Sequence, residues 1–307
     1  MRIEGADRHP LKSPFSQFYW SIDMETAIAI VTTVIDKNLV EIVQRHRRGP
    51  KGHGLVCILR LLVYAVLMQY FSSRILHKHL RKRPQVWREL GLASRPGRSS
   101  IDRWKKQYSQ EIEGCIALLG DQYLDERGSV WNILDSTPLE DENDPDARVG
   151  HTSKGDFKGF KLHMSCDEDR VPLRATFTTG NVHDSVMGEH LLAQTKLTGG
   201  DAGYDQESLK QAARRQDSAP IFVHNPRRAG KAAKQSTWPP LKQFRVCIEQ
   251  CNSIVKTQVL QNAWTSVKGF FAKATFALAG VLALQALALY NLRSGGYPST
   301  RISEVRI

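Results

Sequence analysis

From Ala274 to Tyr290 the chain reads ATFALAGVLALQALALY, seventeen residues without a charge. A helix that is apolar all round has to be enclosed by apolar partners on every side. Either a bilayer or a substantial protein core can do that. The run falls slightly short of the ~20 residues that span a membrane. It is also rich in Ala and carries Gln285. We therefore read it as a terminal helix buried in a globular protein. The remainder can build the surrounding core, since 307 residues with 41% hydrophobic content suffice for one large domain or two small ones. The stretch MRIEGADRHPLKSPF lacks an apolar signal core, and five scattered cysteines read as reduced thiols of a cytosolic protein.

Residues 1–22 read as an irregular arm and 23–128 as a helical, basic domain. The period of Ile28, Val31, Ile35, Leu39 and Ile42 predicts a helix from about Asp23 to Gln44. LVCILRLLVYAVLMQYF predicts a buried helix, and shorter helical stretches follow, the last opening at Ser99 or Ser100 as N-cap. Short helices with tight turns and a basic final member suit a helix-turn-helix-like module, or any small bundle. From Ser129 the pattern changes. SVWNILDSTPL is a short strand, and Phe160 to Cys166 with Pro172 to Thr178 form an alternating hairpin. A helix from about Ser185 to Gln194, a strand ending in LTGGDAGYD, a helix, the strand APIFVHN and a long helix complete a mixed α/β domain over 129–292, before a tail at 293–307. No internal repeat, P-loop, GxGxxG or CxxC motif occurs.

Charge narrows the class of partner. The net charge is +12, and sixteen Lys or Arg face two acids, Glu89 and Asp102, between Arg45 and Lys106. That segment alone carries +14, so the rest is slightly acidic. A second run, Arg227, Arg228, Lys231, Lys234, Lys242 and Arg245, contains no acid. A solvated surface normally intersperses both signs. Unmixed positive charge points to phosphate, where each contact releases a condensed counterion. Arg98, Arg103, Lys105 and Lys106 on the last basic helix, and the Arg227–Lys234 loop, are the candidate contacts.

Three acids stand apart by position. Asp135 ends the first strand, Asp201 ends a later one, and Glu249 is the only acid between Asp217 and Glu304. Carboxylates converging from separate elements repel unless they surround a cation, and oxygen-only ligation suits Mg2+ or Mn2+. At about 100° per residue, Arg245, Glu249, Asn252 and Lys256 share one helix stripe, beside an apolar stripe of Phe244, Ile248, Cys251 and Val255. The residues alone leave two readings of Glu249 open: a metal ligand, or an i,i+4 partner of Arg245 worth ~0.2–0.5 kcal/mol. Cys247 and Cys251 lack partners at metal-ligand spacing and read as packing thiols. Asp184 reads as a cap for the helix after it, and EDENDPD after the first strand as a solvated turn.

In their order and spacing, ILDST, GFKLHMSCDED, GNVHDS, GDAGYD and FRVCIEQCNSIVK resemble DDE-type transposases of prokaryotic insertion sequences, among relatives of insertion-sequence families 4 and 5. The resemblance runs from about Leu55 to Leu292. That family closes on Y-x2-R-x3-E-x6-K, which Arg245, Glu249 and Lys256 match, while Lys242 stands at the Tyr position with Phe244 the nearest aromatic. The resemblance implies a ribonuclease H-like mixed sheet flanked by helices, preceded by an all-α N-terminal DNA-binding region. It implies that Asp135, Asp201 and Glu249 form a catalytic triad holding two Mg2+ (or Mn2+) ions, with Arg245 and Lys256 on phosphates. Only 47 residues separate Asp201 from Glu249, so a compact version without a large insertion is expected. The implied partners are double-stranded DNA, as terminal inverted repeats and target, and a second copy of the chain on paired ends, in a prokaryotic cytoplasm with no membrane. A repressor-like protein with an inactive core and a nuclease without strand transfer are the alternatives.

Overall fold

A computed structural model describes residues 22–36, 39, 53–152, 155–224, 239–260 and 263–300, with side chains on the last helix but one from Phe244 onward. The arm before Ile22, the loop bearing Arg227, Arg228, Lys231 and Lys234, the Lys242 side chain and the end of the tail lie outside the described residues. Helix α1 (Met24–Val34) starts where Asp23 accepts from the Thr26 amide at 2.8 Å and its hydroxyl at 2.6 Å. It stops earlier than the apolar period predicts. The Asp36 carboxylate accepts from the Leu39 amide at 2.8 Å, a side-chain bond that competes with helix continuation. Helices α2 (Leu55–Leu67), α3 (Ser73–Lys82), α4 (Pro84–Glu89), α5 (Arg98–Trp104) and α6 (Ser109–Arg127) follow. Gly128 ends α6 at φ 73°, a left-handed cap that glycine adopts without steric cost.

Six strands form one mixed sheet: β1 (Trp131–Glu140), β2 (Arg148–Thr152), β3 (Gly155–Cys166), β4 (Pro172–Thr179), β5 (Leu197–Gly200) and β6 (Ala219–Phe222). Their order is β2-β3-β1-β5-β6, with β4 also paired to β3. The long β3 pairs β2 over Gly155–Gly159 and β4 over Phe160–Cys166, both antiparallel. Central β1 is antiparallel to β3 but parallel to β5, which is parallel to β6. Strand β2 has no counterpart in the sequence reading, because all its residues but Gly150 are exposed and no alternation marks it. The helix expected over Ser185–Gln194 is a four-residue α7 (Asp184–Met187) running into a 3-10 turn at Gly188–Leu191. Helix α8 (Glu207–Arg215) joins β5 to β6, and α9 (Pro239–Ile254) opens into a π-helical turn at Val255–Val259. This is a ribonuclease H-like sheet flanked by helices, with a helical N-terminal region.

The apolar run becomes α10 (Phe270–Arg293), long and apolar enough to cross a membrane by length and composition, yet with 89% of its most apolar window inside the protein. It packs on α1, α2, α6 and β4, so one hydrophobic cluster runs from Ala27 to Leu289. Buried Gln285 donates to the Ile116 carbonyl at 2.9 Å and to the Pro172 carbonyl at 2.8 Å, joining α6 to β4. A smaller cluster, Leu134 with Leu191, Leu192, Tyr204, Leu209, Ala212 and Ala213, fills the space under α8.

Two acidic turns hold this arrangement. EDENDPD is not a solvated turn. Asp144 accepts from the Gly269 amide and Asp146 from the Phe270 amide, each at 2.8 Å, so the turn caps the free N–H groups of α10. Asp141 pairs with Lys273 at 2.9 Å and Lys268 at 3.1 Å, and Lys273 lies wholly buried with its ammonium 3.9 Å from the Trp264 ring centroid. Burial opposes the Asp141 charge, but the two lysines outweigh it and hold the carboxyl below its ordinary value. The second turn, Asp167–Asp169, reaches back to the end of α6. Asp167 accepts from Tyr123 at 2.8 Å and Ser129 at 2.7 Å, Glu168 from the Val130 and Trp131 amides at 2.9 and 3.0 Å, and Asp169 from Arg127 at 2.8 Å.

Two substitutions test this packing by urea unfolding. A Cβ at Gly120 would lie 2.2 Å from the Leu173 carbonyl oxygen, so Gly120→Ala should destabilise by ~1–3 kcal/mol as α6 is pushed off β4. Asp141→Ala strands a buried ammonium and should cost about 3–5 kcal/mol. In the wild type the Asp141 contribution is present above its unfolded pKa near 3.8 and is lost as pH falls below that value.

Candidate active site

The parallel pairing of β1 with β5 sets Leu134 opposite Gly200 and stops there. The next residue on each strand is an acid, Asp135 and Asp201. Asp135 therefore does not end its strand, since β1 continues to Glu140 along β3; what ends is the neighbour on its other side. The gap opened by that departure is where ligands reach the rim of a sheet with parallel strands. Asp201 leaves β5 as the cap of a 3-10 turn (Ala202–Tyr204), accepting from the Gly203 amide at 2.9 Å.

Burial pushes the Asp135 carboxyl up to about 7; the Ser136 amide and Arg245 oppose the shift, and the charges of Asp201 and Asp184 add to it. The same acids surround Tyr204, whose phenol is held well above its usual range by burial first and then by Asp184, Asp135 and Asp201. Asp184 is not the cap expected of it. His183 caps α7 by accepting from Ser185, while Asp184 takes the Lys161 ammonium at 2.9 Å and lies 3.8 Å from His163 Nδ1. Lys161 and His163 alternate along β3 on one face, and both are buried. Sequence reasoning missed this pair, although K-x-H at strand spacing carried the signal. Burial lowers the His163 imidazole to about 4, so it is neutral at pH 7.

Helix α9 packs against β1, β3 and β5. Ile248, Cys251 and Val255 are buried, as the apolar stripe predicts. Cys247 donates to the Glu168 carbonyl at 3.4 Å, and burial raises the Cys166 thiol beside Cys251, so these cysteines pack. Phe244 lies 4.5 Å from the Trp131 ring centroid, which makes it a packing residue. On the polar stripe, Asn252 donates to Asp135 Oδ2 at 2.9 Å. The Glu249 side chain is 58% exposed and lies 3.6 Å from Arg245. Lys256 lines a surface hollow of about 250 Å3 with Pro138, Leu139 and Glu140, just beyond Asp135 on β1.

Among the described residues, no three His, Cys, Asp or Glu side chains are gathered within reach of one cation. The structure brings Asp135 and Asp201 together and leaves Glu249 one helical turn from the Asn252 contact. An oxygen-only donor set, with a half-buried carboxylate opposed by its neighbours' charges, fits a hard divalent cation. On the helical region, Arg98 pairs with Asp102 at 3.8 Å, and Arg103 and Lys106 are exposed around a shallow hollow. Lys105 differs from the expected phosphate contact. Its ammonium turns inward to the Phe71 carbonyl, and burial lowers its pKa to about 8.

The model of the transposase DDE domain matches residues 127–284, just over half of the chain. No curated protein matches the chain.

Because its folded carboxyl is raised above 3.8, Asp135 destabilises the metal-free protein progressively as pH rises from about 4 to about 7. Asp135→Asn should therefore raise the Tm of metal-free protein at pH 8, by roughly 2–4 kcal/mol in stability, and by much less at pH 5. Thermal unfolding in chelator at the two pH values measures the difference.

Proposed function

Since the chain belongs to the transposase DDE-domain family, we propose that it is a DNA transposase that cleaves at the ends of its own insertion sequence and joins the freed 3′-OH to target DNA. The observation that carries this reading is the pair of acids, Asp135 and Asp201, standing at one register where the parallel ladder of β1 and β5 ends, with α9 tied to the first of them. Asp135, Asp201 and Glu249 would hold the divalent cations that members of this family use, here Mg2+ or Mn2+ and two in number. When bound, those ions supply the positive charge that phosphodiester cleavage and transfer need.

The residues of the chain account for the rest. Burial of Asp135 excludes water from one side of the site and strengthens its attraction for a cation. Lys256, on the rim beyond Asp135, and Arg245, close enough to favour the Asp135 charge, bind the phosphates flanking the scissile bond. Engagement of Arg245 by a phosphate frees Glu249 to turn toward the acid pair. An exposed i,i+4 pair is worth only ~0.3–0.5 kcal/mol, so the exchange is cheap. Arg98, Arg103 and Lys106, with the Arg227–Lys234 loop, grip duplex DNA. Two copies of the chain act on paired terminal repeats, in the cytoplasm of a prokaryote and associated with its nucleoid.

The outward Glu249 favours one alternative, a repressor-like protein that binds DNA with an inactive core; a nuclease without strand transfer is another. Full-length protein incubated with Mg2+ and plasmid DNA carrying the genomic flanks of its own gene separates them. The transposase reading expects cleavage and joined products, lost by about 10^3-fold or more in Asp201→Asn and Glu249→Gln, with DNA binding retained. Binding without cleavage in Mg2+ or Mn2+ would establish the repressor. Cleavage without joined products would establish the nuclease. Cleavage that survives Glu249→Gln would remove Glu249 from the triad.

A further inference from the structure

Asn252 is 6% exposed, and its Nδ2 reaches Asp135 Oδ2 across 117 positions of chain. Its own Oδ1 is buried and accepts no hydrogen bond. A half-satisfied buried amide is a liability for stability alone, because an apolar side chain of the same shape fills the space without an orphaned acceptor. Its position on α9 is equally specific. It lies three residues after Glu249 and four before Lys256, on their stripe, and the helix widens into its π turn from Val255. Such π turns are frequent at functional sites. With Glu249 turned toward Arg245, Asn252 is the described α9 side chain that hydrogen-bonds to the acid pair.

We infer that Asn252 is a positioning residue, which orients the Asp135 carboxylate for capture of a divalent cation and fixes α9 on β1 so that Glu249 and Lys256 stand at the same rim. This rests on the reading of Asp135 and Asp201 as a cation site. The donated N–H favours the ionised carboxylate and occupies one lone pair of Oδ2, leaving the other oxygen for the ion. The free Oδ1 beside it is a hard acceptor, suited to a water molecule of a hydrated cation. Groups that orient a ligating side chain in this way typically carry 10–100-fold in metal affinity.

The test is Mn2+ alone, titrated into DNA-free full-length protein and followed by the electron paramagnetic resonance of the free ion. Wild type, Asn252→Ala, Asn252→Leu and Asp135→Asn are compared, each checked for folding by circular dichroism. Asn252→Leu keeps the volume and removes both polar atoms, so it remains informative where alanine fails to fold. The expected result is Mn2+ binding weakened about 10–100-fold in the Asn252 variants. DNA cleavage at saturating DNA should fall in parallel, with DNA affinity within about 3-fold of wild type, as expected when an interaction made only at the reacting centre is lost. A purely structural Asn252 would leave Mn2+ affinity unchanged in folded Asn252→Leu, and that outcome overturns the inference. Wild-type Mn2+ binding by Asp135→Asn would instead overturn the cation site itself. Loss in Asp135→Asn with retention in Asn252→Leu removes only the role of Asn252.

Discussion

The enclosure of α10 is the constraint from which the rest of the architecture follows. A helix with almost no polar surface needs partners around its whole circumference, and no single layer of this protein supplies them. The N-terminal helices α1 and α2, the linking helix α6 and the sheet strand β4 each take a sector. The helical region and the sheet therefore share one core. Two points of this arrangement are held by polar groups that have few alternatives. At the start of α10, three aspartates from one turn take up backbone N–H groups and a buried lysine. In its middle, Gln285 satisfies carbonyls of α6 and of the residue that opens β4.

Against that rigid frame, the acid site is a place of deliberate electrostatic tension. Strand pairing delivers Asp135 and Asp201 to the same rim because both follow the last residues of one parallel ladder. Nothing in the ladder offsets their charges. A carboxylate forced into partial burial beside another acid is stable only when protonated or when a cation joins it. The nearby cations are arranged unevenly: Lys161 is committed to Asp184, while Arg245 is shared between Glu249 and the field of Asp135. The site is thus poised toward positive charge arriving from outside.

Much of this was legible in the sequence, for reasons that can be named. An unbroken apolar run identified α2, and periodicity the β3–β4 hairpin and the buried stripe of α9, because burial on one face leaves a repeating mark. Asp135 and Asp201 stood out where apolar stretches turn polar, and Glu249 as the one acid inside a basic segment. What escaped had no such mark. Strand β2 is exposed on nearly every residue and owes its existence to pairing with β3. The role of EDENDPD depends on residues more than 120 positions away, and local composition alone suggested solvent. The same holds for Lys105, whose basic character says nothing about its inward turn, and for Asp184, whose partner Lys161 lies on β3. The outward turn of Glu249 was one of two readings open from spacing, and the choice between them lies in the state of Arg245.

The shared core also bears on the order in which the protein can become itself. The ribosome finishes the N-terminal helices more than a hundred residues before it reaches Phe270, yet much of the surface that α1 and α2 bury faces α10. Until then those helices can form only local structure, and their apolar faces stay open to chaperones or to premature association. A chain released early, by a frameshift or a stop codon upstream of α10, lacks the wedge that closes the whole assembly. Its basic surface would then be displayed on an incomplete scaffold. Folding of the N-terminal helices thus waits on a segment made much later, because α10 is the element on which every layer packs.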